Sequence, residues 1–326
     1  MAKKKQHYSG IGGQAVLEGV MMRNRKMYAV AVRRPDKKIE VEVDEYHGVL
    51  EKTILPRIPF IRGIFVFLDS LILGTRSLNY SSTFYEDEDS EPSKLDRVLD
   101  RVSRGNGEKV MQTVSMIIGF LIAIVLFVLV PYFAAEWMAT YVRNDSVLAL
   151  FEGLIRLMVF LAYLIGISMM KDIRRLYQYH GAEHKCINCI ESGKPLTVKN
   201  VRESRRFHRR CGTSFLFIVV IVSILLFFFI RVDSRVLRLA LRIILVPVIA
   251  GISYEIIYFA GHSGSIAAKI LSAPGLGLQR ITTKEPDDGM IEVGIASVEA
   301  VYNWRRYLRE EFGWTDEEID EELHKE

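Results

Sequence analysis

The sequence predicts an α-helical polytopic membrane protein with about four transmembrane helices, one in-plane or re-entrant helix and a small α+β cytoplasmic portion. Half of the 326 residues are hydrophobic, and they are concentrated in a few long runs, while the charged residues crowd into the remainder. Several runs reach the ~20 residues that a bilayer crossing requires. A long basic segment separates the second run from the third, which favours a cytoplasmic location for that segment.

Residues 1–57 are predicted to form an N-terminal cytoplasmic module that contains β-structure. Met27 to Arg34 and Ile39 to Tyr46 are β-rich and flank the turn-like Pro35-Asp36-Lys37-Lys38, which indicates a β-hairpin. The apolar segment from Gly12 to Arg23 is punctuated by glycines and is typical of a tight structural turn that packs against another surface. A phosphate-binding loop is the less favoured interpretation, because its lysine and its Ser/Thr are absent.

Residues 58–113 are predicted to form an interfacial helix and a charged linker. Three charges recur every seven residues and therefore share one helical face: Arg62, Asp69 and Arg76. Such a stripe is costly within a bilayer and suits a helix in the interface, with a full crossing as the alternative. Tyr85 to Glu91 is acidic and typical of a linker, and Lys94 to Lys109 is charged enough for a short helix on the membrane surface.

Residues 114–170 and 213–260 are each predicted to contain two transmembrane helices. The four spans are Val114 to Met138, Val147 to Met170, Thr213 to Ile230 and Leu237 to Phe259. Pro247 and Gly251 interrupt the fourth span. Glu152 and Arg156 lie one turn apart in the second, so we expect them to satisfy each other's charge.

Residues 171–212 form the basic segment, a predicted cytoplasmic loop with eleven Lys and Arg residues. The positive-inside rule places this loop and both chain termini in the cytoplasm. Its basic side chains favour contact with anionic lipid headgroups. Because the cytoplasm is reducing, we expect free thiols rather than disulfides at all three cysteines: Cys186, Cys189 and Cys211.

Residues 261–326 are predicted to form a C-terminal cytoplasmic segment. Its Gly- and Pro-containing part, Ser272 to Glu285, is typical of a loop, and Met290 to Ala296 of a short strand. Ser297 to Phe312 has the pattern of an amphipathic helix. Asp316 to Glu326 is an acidic tail, which we expect to be mobile.

The residues that indicate chemistry collect in the central loop. His180, Glu183 and His184 form an H-x-x-E-H string, which on a helix places the two histidines on one face with the glutamate beside them. Inverted zincins use this spacing, with two imidazoles on the metal and a carboxylate as the base. The sequence therefore predicts Zn²⁺ ligands and Glu183 as a catalytic base. The predicted metal ligands are His180, His184, His208, Cys211 and Glu255.

Two other interpretations stay open. Cys186-x-x-Cys189 and His208-x-x-Cys211 have the spacing of a closed structural zinc knuckle, which would carry out no chemistry. The open site and the knuckle compete for His208 and Cys211, so at most one is expected. Alternatively, the two histidines of the H-x-x-E-H string simply pack under the loop or contact lipid headgroups.

Five segments in one order resemble the successive motifs of the YqhQ family of bacterial membrane proteins. They are Gly12 to Arg23, Tyr179 to Lys185, Arg210 to Phe215, Ser253 to Glu255, and Thr282 to Pro286. The resemblance covers nearly the whole chain. It implies a location in the bacterial cytoplasmic membrane and a domain of unknown function that is described as a predicted metal-dependent enzyme.

The predicted function is thus an integral inner-membrane protein with a cytoplasmic-side metal site, which would support metal-dependent hydrolysis if one coordination position is open. The alternative is a non-catalytic factor for membrane-protein biogenesis or scaffolding, with the translocon or ribosome as partner. A catalytic and a non-catalytic role are both consistent with the sequence, as are protein partners within the membrane.

Overall fold

The computed structural model describes residues 7–85, 107–230, 232, 234–263 and 265–324. The fold is mainly helical and includes one small antiparallel sheet. The strands are β1 (Gly12–Val16), β2 (Gly19–Asn24), β3 (Met27–Arg33) and β4 (Ile39–Glu45). The helices before the central segment are α1 (Ile61–Ser82), α2 (Gly107–Ile124), α3 (Val130–Met138) and α4 (Asp145–Ser168). They are followed by α5 (Lys171–Glu191), α6 (Val198–Glu203), α7 (Gly212–Phe229), α8 (Arg235–Ile244), α9 (Val246–His262), α10 (Ile266–Thr282), α11 (Asp288–Val301), α12 (Trp304–Phe312) and α13 (Asp316–Leu323).

The sheet has the strand order β1-β2-β3-β4. The predicted hairpin is confirmed, because β3 and β4 pair in antiparallel register. The segment predicted as a tight turn forms a second hairpin instead, and its turn is confined to the two residues between Val16 and Gly19. Glycines occur there because the strands and a helix approach closely. A Cβ atom on Gly19 would meet the backbone carbonyl of Ala31 on β3.

One compact unit of the fold comprises Met1–Tyr85, Leu164–Val222 and Val246–Glu326. One face of its sheet packs on α5 and α11 in the main apolar core. The core includes Val20, Met22, Ala31, Tyr179, Ala182, Ile187, Met290, Ile291, Val298, Leu308 and Ile319. The opposite face packs on Leu73 of α1. N-terminal, central and C-terminal segments therefore share one interior.

Several segments of this unit are more regular than the sequence suggested. The predicted central loop is mostly helical, since α5 and α6 fall within it. The predicted loop at Ser272–Glu285 largely belongs to α10, which accommodates Pro274 internally. The predicted strand at Met290–Ala296 lies in α11, whose buried residues recur with helical rather than alternating spacing. The predicted mobile tail contains α13, which begins with a capping box formed by Thr315 and Glu318.

Two smaller predictions in the same unit have different outcomes. The predicted amphipathic helix at Ser297–Phe312 is interrupted at Tyr302 and Asn303, where α11 ends and α12 begins. The predicted interfacial helix is helical as α1. Residues 86–106, which carry the predicted acidic linker and most of the predicted surface helix, lie outside the described residues.

The four apolar runs all form helices. Three stretches are long and apolar enough to cross a bilayer: Thr113–Met138, Asp145–Ser168 and Gly212–Phe229. The fourth consists of two helices, Val236–Ile244 and Val246–His262, which are bent by 42° at Leu245. Pro247 follows this break, and its missing backbone N–H explains why the first helix does not continue through it.

The second compact unit comprises Glu86–Tyr163 and Ser223–Leu245 and contains a buried charge cluster. The predicted pair is confirmed, with Arg156 Nη2 2.8 Å from Glu152 Oε1. Arg242 on α8 was not foreseen, and its Nε donates to the same carboxylate at 2.9 Å. The three residues are only 5–7% exposed. One carboxylate therefore compensates two buried guanidinium groups.

Replacing Glu152 with alanine is expected to destabilise the protein by about 3–5 kcal/mol, because it leaves two buried cations without a counter-charge. Thermal unfolding of the detergent-solubilised protein would show this as a lower Tm. Asp145→Asn, which alters an exposed acid on the same helix, is the matched control. Equal stability losses in the two variants would contradict the structural role assigned to the cluster.

Candidate metal centre

Helix α5 positions the H-x-x-E-H string. The helix begins after Met170 with Asp172 in its first turn, where an acid interacts favourably with the helix dipole. It ends before Gly193, which adopts the left-handed conformation with φ of 73°. One face of α5 is buried against the sheet, so the histidines occupy the neighbouring face. His184 is 1% exposed, and His180 is partly buried.

Cys211 completes a cluster with the two histidines. It lies immediately before α7, and its Sγ is 3.2 Å from Nε2 of His180. One potential ligand atom from each of His180, His184 and Cys211 lies within 4.8 Å of the other two. The structure therefore brings together three of the five side chains that the sequence proposes as ligands.

Backbone carbonyls orient both imidazoles. Nδ1 of His180 is 2.9 Å from the carbonyl oxygen of Thr282, and Nδ1 of His184 is 2.6 Å from that of Arg206. Because a carbonyl only accepts, Nδ1 carries a proton in each ring, so the neutral form of each imidazole has its lone pair on Nε2. Nε2 of His184 is buried and has no hydrogen-bond partner among the described residues. A buried nitrogen lone pair of this kind suits a metal ion.

The cluster has unusual electrostatics. Burial opposes ionisation of the Cys211 thiol, but the charges of His180 and His184 outweigh it and hold the pKa of the thiol well below its ordinary value. Burial likewise lowers the pKa of His180, but the negative charge on Cys211 raises it to about 9. The backbone N–H of Thr213 also lies 3.4 Å from the sulfur. The site therefore favours a thiolate, the form of cysteine that binds metals.

Glu183 lies beside the cluster and packs against β1. A Cβ atom on Gly13 would lie 2.8 Å from Cγ of Glu183, so only glycine fits at this strand position. Oε2 of Glu183 is buried and has no hydrogen-bond partner among the described residues. Burial is the largest cause of the raised pKa of its carboxyl. This carboxyl therefore has an oxygen available to a bound molecule.

His208 faces a different set of side chains. Its Nε2 lies 3.1 Å from Nη2 of Arg210 and 3.7 Å from Oε2 of Glu191. The nearby His208 imidazole and the charge of Arg210 outweigh the effect of burial and lower the pKa of the Glu191 carboxyl to about 2. Gln279 fixes the backbone on both sides of His208, accepting from its N–H at 2.8 Å and donating to its carbonyl at 2.7 Å.

Glu255 is also directed away from the cluster. Its Oε2 forms an ion pair with Nη2 of Arg62 at 2.6 Å, and its Oε1 accepts from the backbone N–H of Phe60 at 3.0 Å. His262, which follows Glu255 by seven residues on the same helix, donates from Nδ1 to the carbonyl of Tyr258. Arg62 of α1 thus occupies the carboxylate that the sequence proposed for the metal.

The arrangement required for a zinc knuckle is not formed by the described residues. Cys186 and Cys189 are fully buried in the apolar core, where the Cys189 thiol is 3.4 Å from the carbonyl of Pro195. Cys186 packs so closely on α11 that a Cβ atom on Gly294 would lie 2.9 Å from its sulfur. Both thiols therefore lie in the apolar core, one against α11 and the other against the segment that follows α5.

Sequence reasoning missed the groups that orient the imidazoles. Thr282 is the last residue of α10, and the segment that follows it donates from the N–H of Lys284 to the carbonyl of Tyr177. Gly181 makes this approach possible, because a Cβ atom there would meet the carbonyl of Lys284. The sequence motif from Thr282 to Pro286 marked this segment as important. Its side chains did not indicate that a backbone carbonyl orients the imidazole.

Comparison with known proteins gives a family for this arrangement. Residues 58–304 match the family described as "Protein of unknown function (DUF1385)". The chain is also 38% identical over 288 residues to the uncharacterized protein YqhQ of Bacillus subtilis (strain 168), an alignment that covers 88% of this chain and 90% of that protein. The chain belongs to the YqhQ family. No solved structure matches it.

The glycine pair of β1 offers a matched test of how Glu183 is held. Gly13→Ala is expected to displace Glu183 and to cost about 1–3 kcal/mol through overpacking. Gly12→Ala places its methyl group in open space and should leave stability nearly unchanged. Denaturant or thermal unfolding of both variants measures the difference. If they unfold alike, Gly13 does not constrain Glu183.

Proposed function

We propose that this protein is a multi-pass protein of the bacterial cytoplasmic membrane that binds Zn²⁺ at a cytoplasmic site and uses it for hydrolysis. The observation that carries the proposal is the trio of His180, His184 and Cys211, with both Nδ1 atoms committed to carbonyls and Nε2 of His184 buried without a partner among the described residues. Glu183 adds an available carboxylate oxygen next to the trio.

The donor set fits zinc. Zinc binds imidazole nitrogen and thiolate sulfur, whereas magnesium and calcium prefer oxygen. His180, His184 and Cys211 supply three such donors, and catalytic zinc sites combine three protein ligands with one position for water or substrate. The Nδ1 bonds to Thr282 and Arg206 are the usual outer-shell support for ligating histidines.

Zinc at this site would supply Lewis acidity, which makes water a competent nucleophile near neutral pH. Glu183 would accept the proton of the attacking water and return it to the leaving group. In this reaction the water oxygen bonds to the electrophilic carbon, and the bond from that carbon to the leaving group breaks. Burial raises the pKa of Glu183, which suits a carboxyl that must both accept and donate a proton.

The exposed apolar surface of the candidate spans supports membrane insertion. Met116 and Phe120 on α2 are 62% and 66% exposed, and none of the most apolar window of Thr113–Met138 is buried within the protein. An uninterrupted apolar surface of this kind requires a cover. A bilayer provides one for helices of spanning length.

The shared core constrains the topology of such an insertion. Strands β1 to β3, helix α5 and helix α11 bury side chains in one interior, so they must lie on the same side of a membrane. An even number of crossings must then separate β3 from α5, and α5 from α11. The two apolar stretches before α5 meet this condition, and α7 with the bent pair α8–α9 meets it after α5. The basic central segment favours the cytoplasmic side for all of them.

The requirement for an even number of membrane crossings also favours an α1 that lies in the membrane interface rather than across the membrane. If α1 also crossed, three crossings would separate the sheet from α5 among the described residues. The ion pair of Arg62 with Glu255 and the contact of Asp69 with the backbone N–H of Val49 at 2.7 Å give the charged stripe of α1 protein partners.

Labelling of one introduced cysteine at a time tests the topology. Asn144→Cys, in the connector before α4, is expected to react with a membrane-impermeant maleimide in intact cells. Glu317→Cys, on α13, should react only after lysis. The unmodified chain is the background control, because its three cysteines are buried. Labelling of the α13 position in intact cells would overturn the proposed orientation.

Metal analysis tests the site. Detergent-purified protein should contain about one zinc per chain by plasma mass spectrometry. His184→Ala and Cys211→Ser should lose most of it, because three-ligand sites tolerate the loss of one donor poorly. His262→Gln, a histidine outside the trio, is the matched control and should retain full occupancy. Zinc that survives both trio substitutions would refute the ligand assignment.

The openness of the site is tested separately with Co²⁺ in place of zinc. Added azide or a hydroxamate should change the visible spectrum if one position is exchangeable, whereas a closed structural site should not respond. Glu183→Gln should keep the metal and abolish hydrolysis. An unresponsive spectrum, together with copurified ribosome or translocon, would instead favour a non-catalytic assembly factor.

A further inference from the structure

The two edges of the sheet differ in their chemistry. The edge strand β4 carries acidic residues, which discourage pairing with another chain: Glu40, Glu42, Asp44 and Glu45. The other edge strand, β1, has the sequence Gly-Gly-Gln-Ala-Val and contains neither a charge nor a proline. Among the described residues no strand pairs with the free side of β1. This edge therefore lacks the usual protection against strand addition.

Hydrogen-bonding groups point outward from β1 at alternate residues. Val16 and Gly19 close a two-residue turn, so Val16, Gln14 and Gly12 direct their backbone groups toward β2. Gly13 and Ala15 consequently direct theirs away from the sheet. No described residue outside the sheet satisfies these groups. They match the spacing of an extended polypeptide laid alongside.

The free edge lies next to the candidate metal centre. Gly13 contacts Glu183, and Glu183 belongs to the same helical turn as both histidines. Gly12 and Gly13 are exposed, while Ala15 is partly buried and Val16 fully buried. Two residues without side chains thus leave the strand backbone accessible at the point where it passes the side chain of Glu183.

We propose that an extended polypeptide adds to β1 as a fifth strand, and that the substrate of the site is a peptide bond in that segment. This inference rests on the proposed hydrolase function and narrows its substrate class. A polypeptide is the ligand whose N–H and C=O groups alternate with the period of a strand edge. A lipid ester or a phosphomonoester has no alternating N–H and C=O groups that could pair with those directed outward from β1. In hydrolysis the C–N bond breaks, and Glu183 delivers the water proton to the leaving nitrogen.

Binding can be tested without turnover on full-length, zinc-loaded Glu183→Gln. The probe is a fluorescently labelled peptide of alternating Val and Thr, compared with versions that carry one backbone N-methyl group at successive positions. Anisotropy should show saturable binding that is weakened about tenfold by methylation at every second position, roughly the effect of one lost hydrogen bond. Absent binding, or uniform tolerance of methylation, would overturn strand addition.

The same edge can be altered in the protein. Ala15→Pro removes one outward N–H and no bond to β2, which proline tolerates on an edge strand. Peptide binding should fall about tenfold, while zinc content and Tm stay unchanged. Val43→Ala, at an exposed position of the opposite edge strand β4, is the control and should bind normally. If Ala15→Pro does not fold, the methylated peptides still decide the question.

The outcomes separate this inference from the proposed function. Zinc-loaded wild type is incubated in parallel with a peptide mixture, p-nitrophenyl acetate and p-nitrophenyl phosphate. Cleavage of an ester or phosphate, with peptides neither bound nor cut, would overturn strand addition and leave the hydrolase intact. Protein that binds no zinc but binds peptides with alternating sensitivity would support the strand edge and overturn the hydrolase.

Discussion

The packing of α5 on the sheet is the interaction on which the rest of the site depends. Tyr179 and Ala182 are fully buried in the core against the sheet and α11. Successive residues of a helix are rotated by about 100°, so burying this face fixes the direction of its neighbour. His180 and His184 occupy that neighbouring face, and Glu183 lies between the two faces in contact with β1. The histidines are therefore positioned by apolar burial rather than by each other.

Burial also explains why the polar groups of the site are so closely supported. An imidazole or carboxyl taken out of water costs free energy unless it finds a partner. In His180 and His184, one of the two ring nitrogens, Nδ1, has a partner: it donates to the carbonyl of Thr282 in the first ring and of Arg206 in the second. The remaining unmet atoms, Nε2 of His184 and Oε2 of Glu183, both belong to the H-x-x-E-H string. Two of the seven buried side-chain atoms that lack a hydrogen-bond partner among the described residues thus belong to the motif that predicts chemistry.

The sequence predicted those parts of the structure that depend on local periodicity. The H-x-x-E-H spacing carries directional information because it lies on a helix. The spacing of His208 and Cys211 does not predict the direction of their side chains, because the backbone from Phe207 to Cys211 is irregular. The two side chains diverge. Glu255 was predicted as a metal ligand, but it pairs with Arg62, which is 193 residues away in the sequence, a separation over which spacing carries no information.

Predictions based on composition had the weakest basis. The central segment was predicted to be a loop because it is highly charged. Many of its charged residues form ion pairs within the fold, as Arg202 does with Asp288, and the segment is mostly helical. The apolar run from Met290 was predicted to be a strand. This prediction was wrong because a short apolar run does not distinguish a strand from a helix. Burial of Met290, Ile291 and Val298 on one side supplies the helical period that its composition concealed.

The ligands and their supports come from segments that are far apart in the chain, which ties metal binding to assembly. His180 and His184 belong to α5, Cys211 precedes α7, and the Thr282 carbonyl lies at the C-terminal end of α10. Two candidate membrane stretches, α7 and the bent pair, separate Cys211 from Thr282. A metal that binds only the assembled trio stabilises the folded state by mass action. The centre would therefore form only after these candidate membrane helices have brought the C-terminal segment back onto α5.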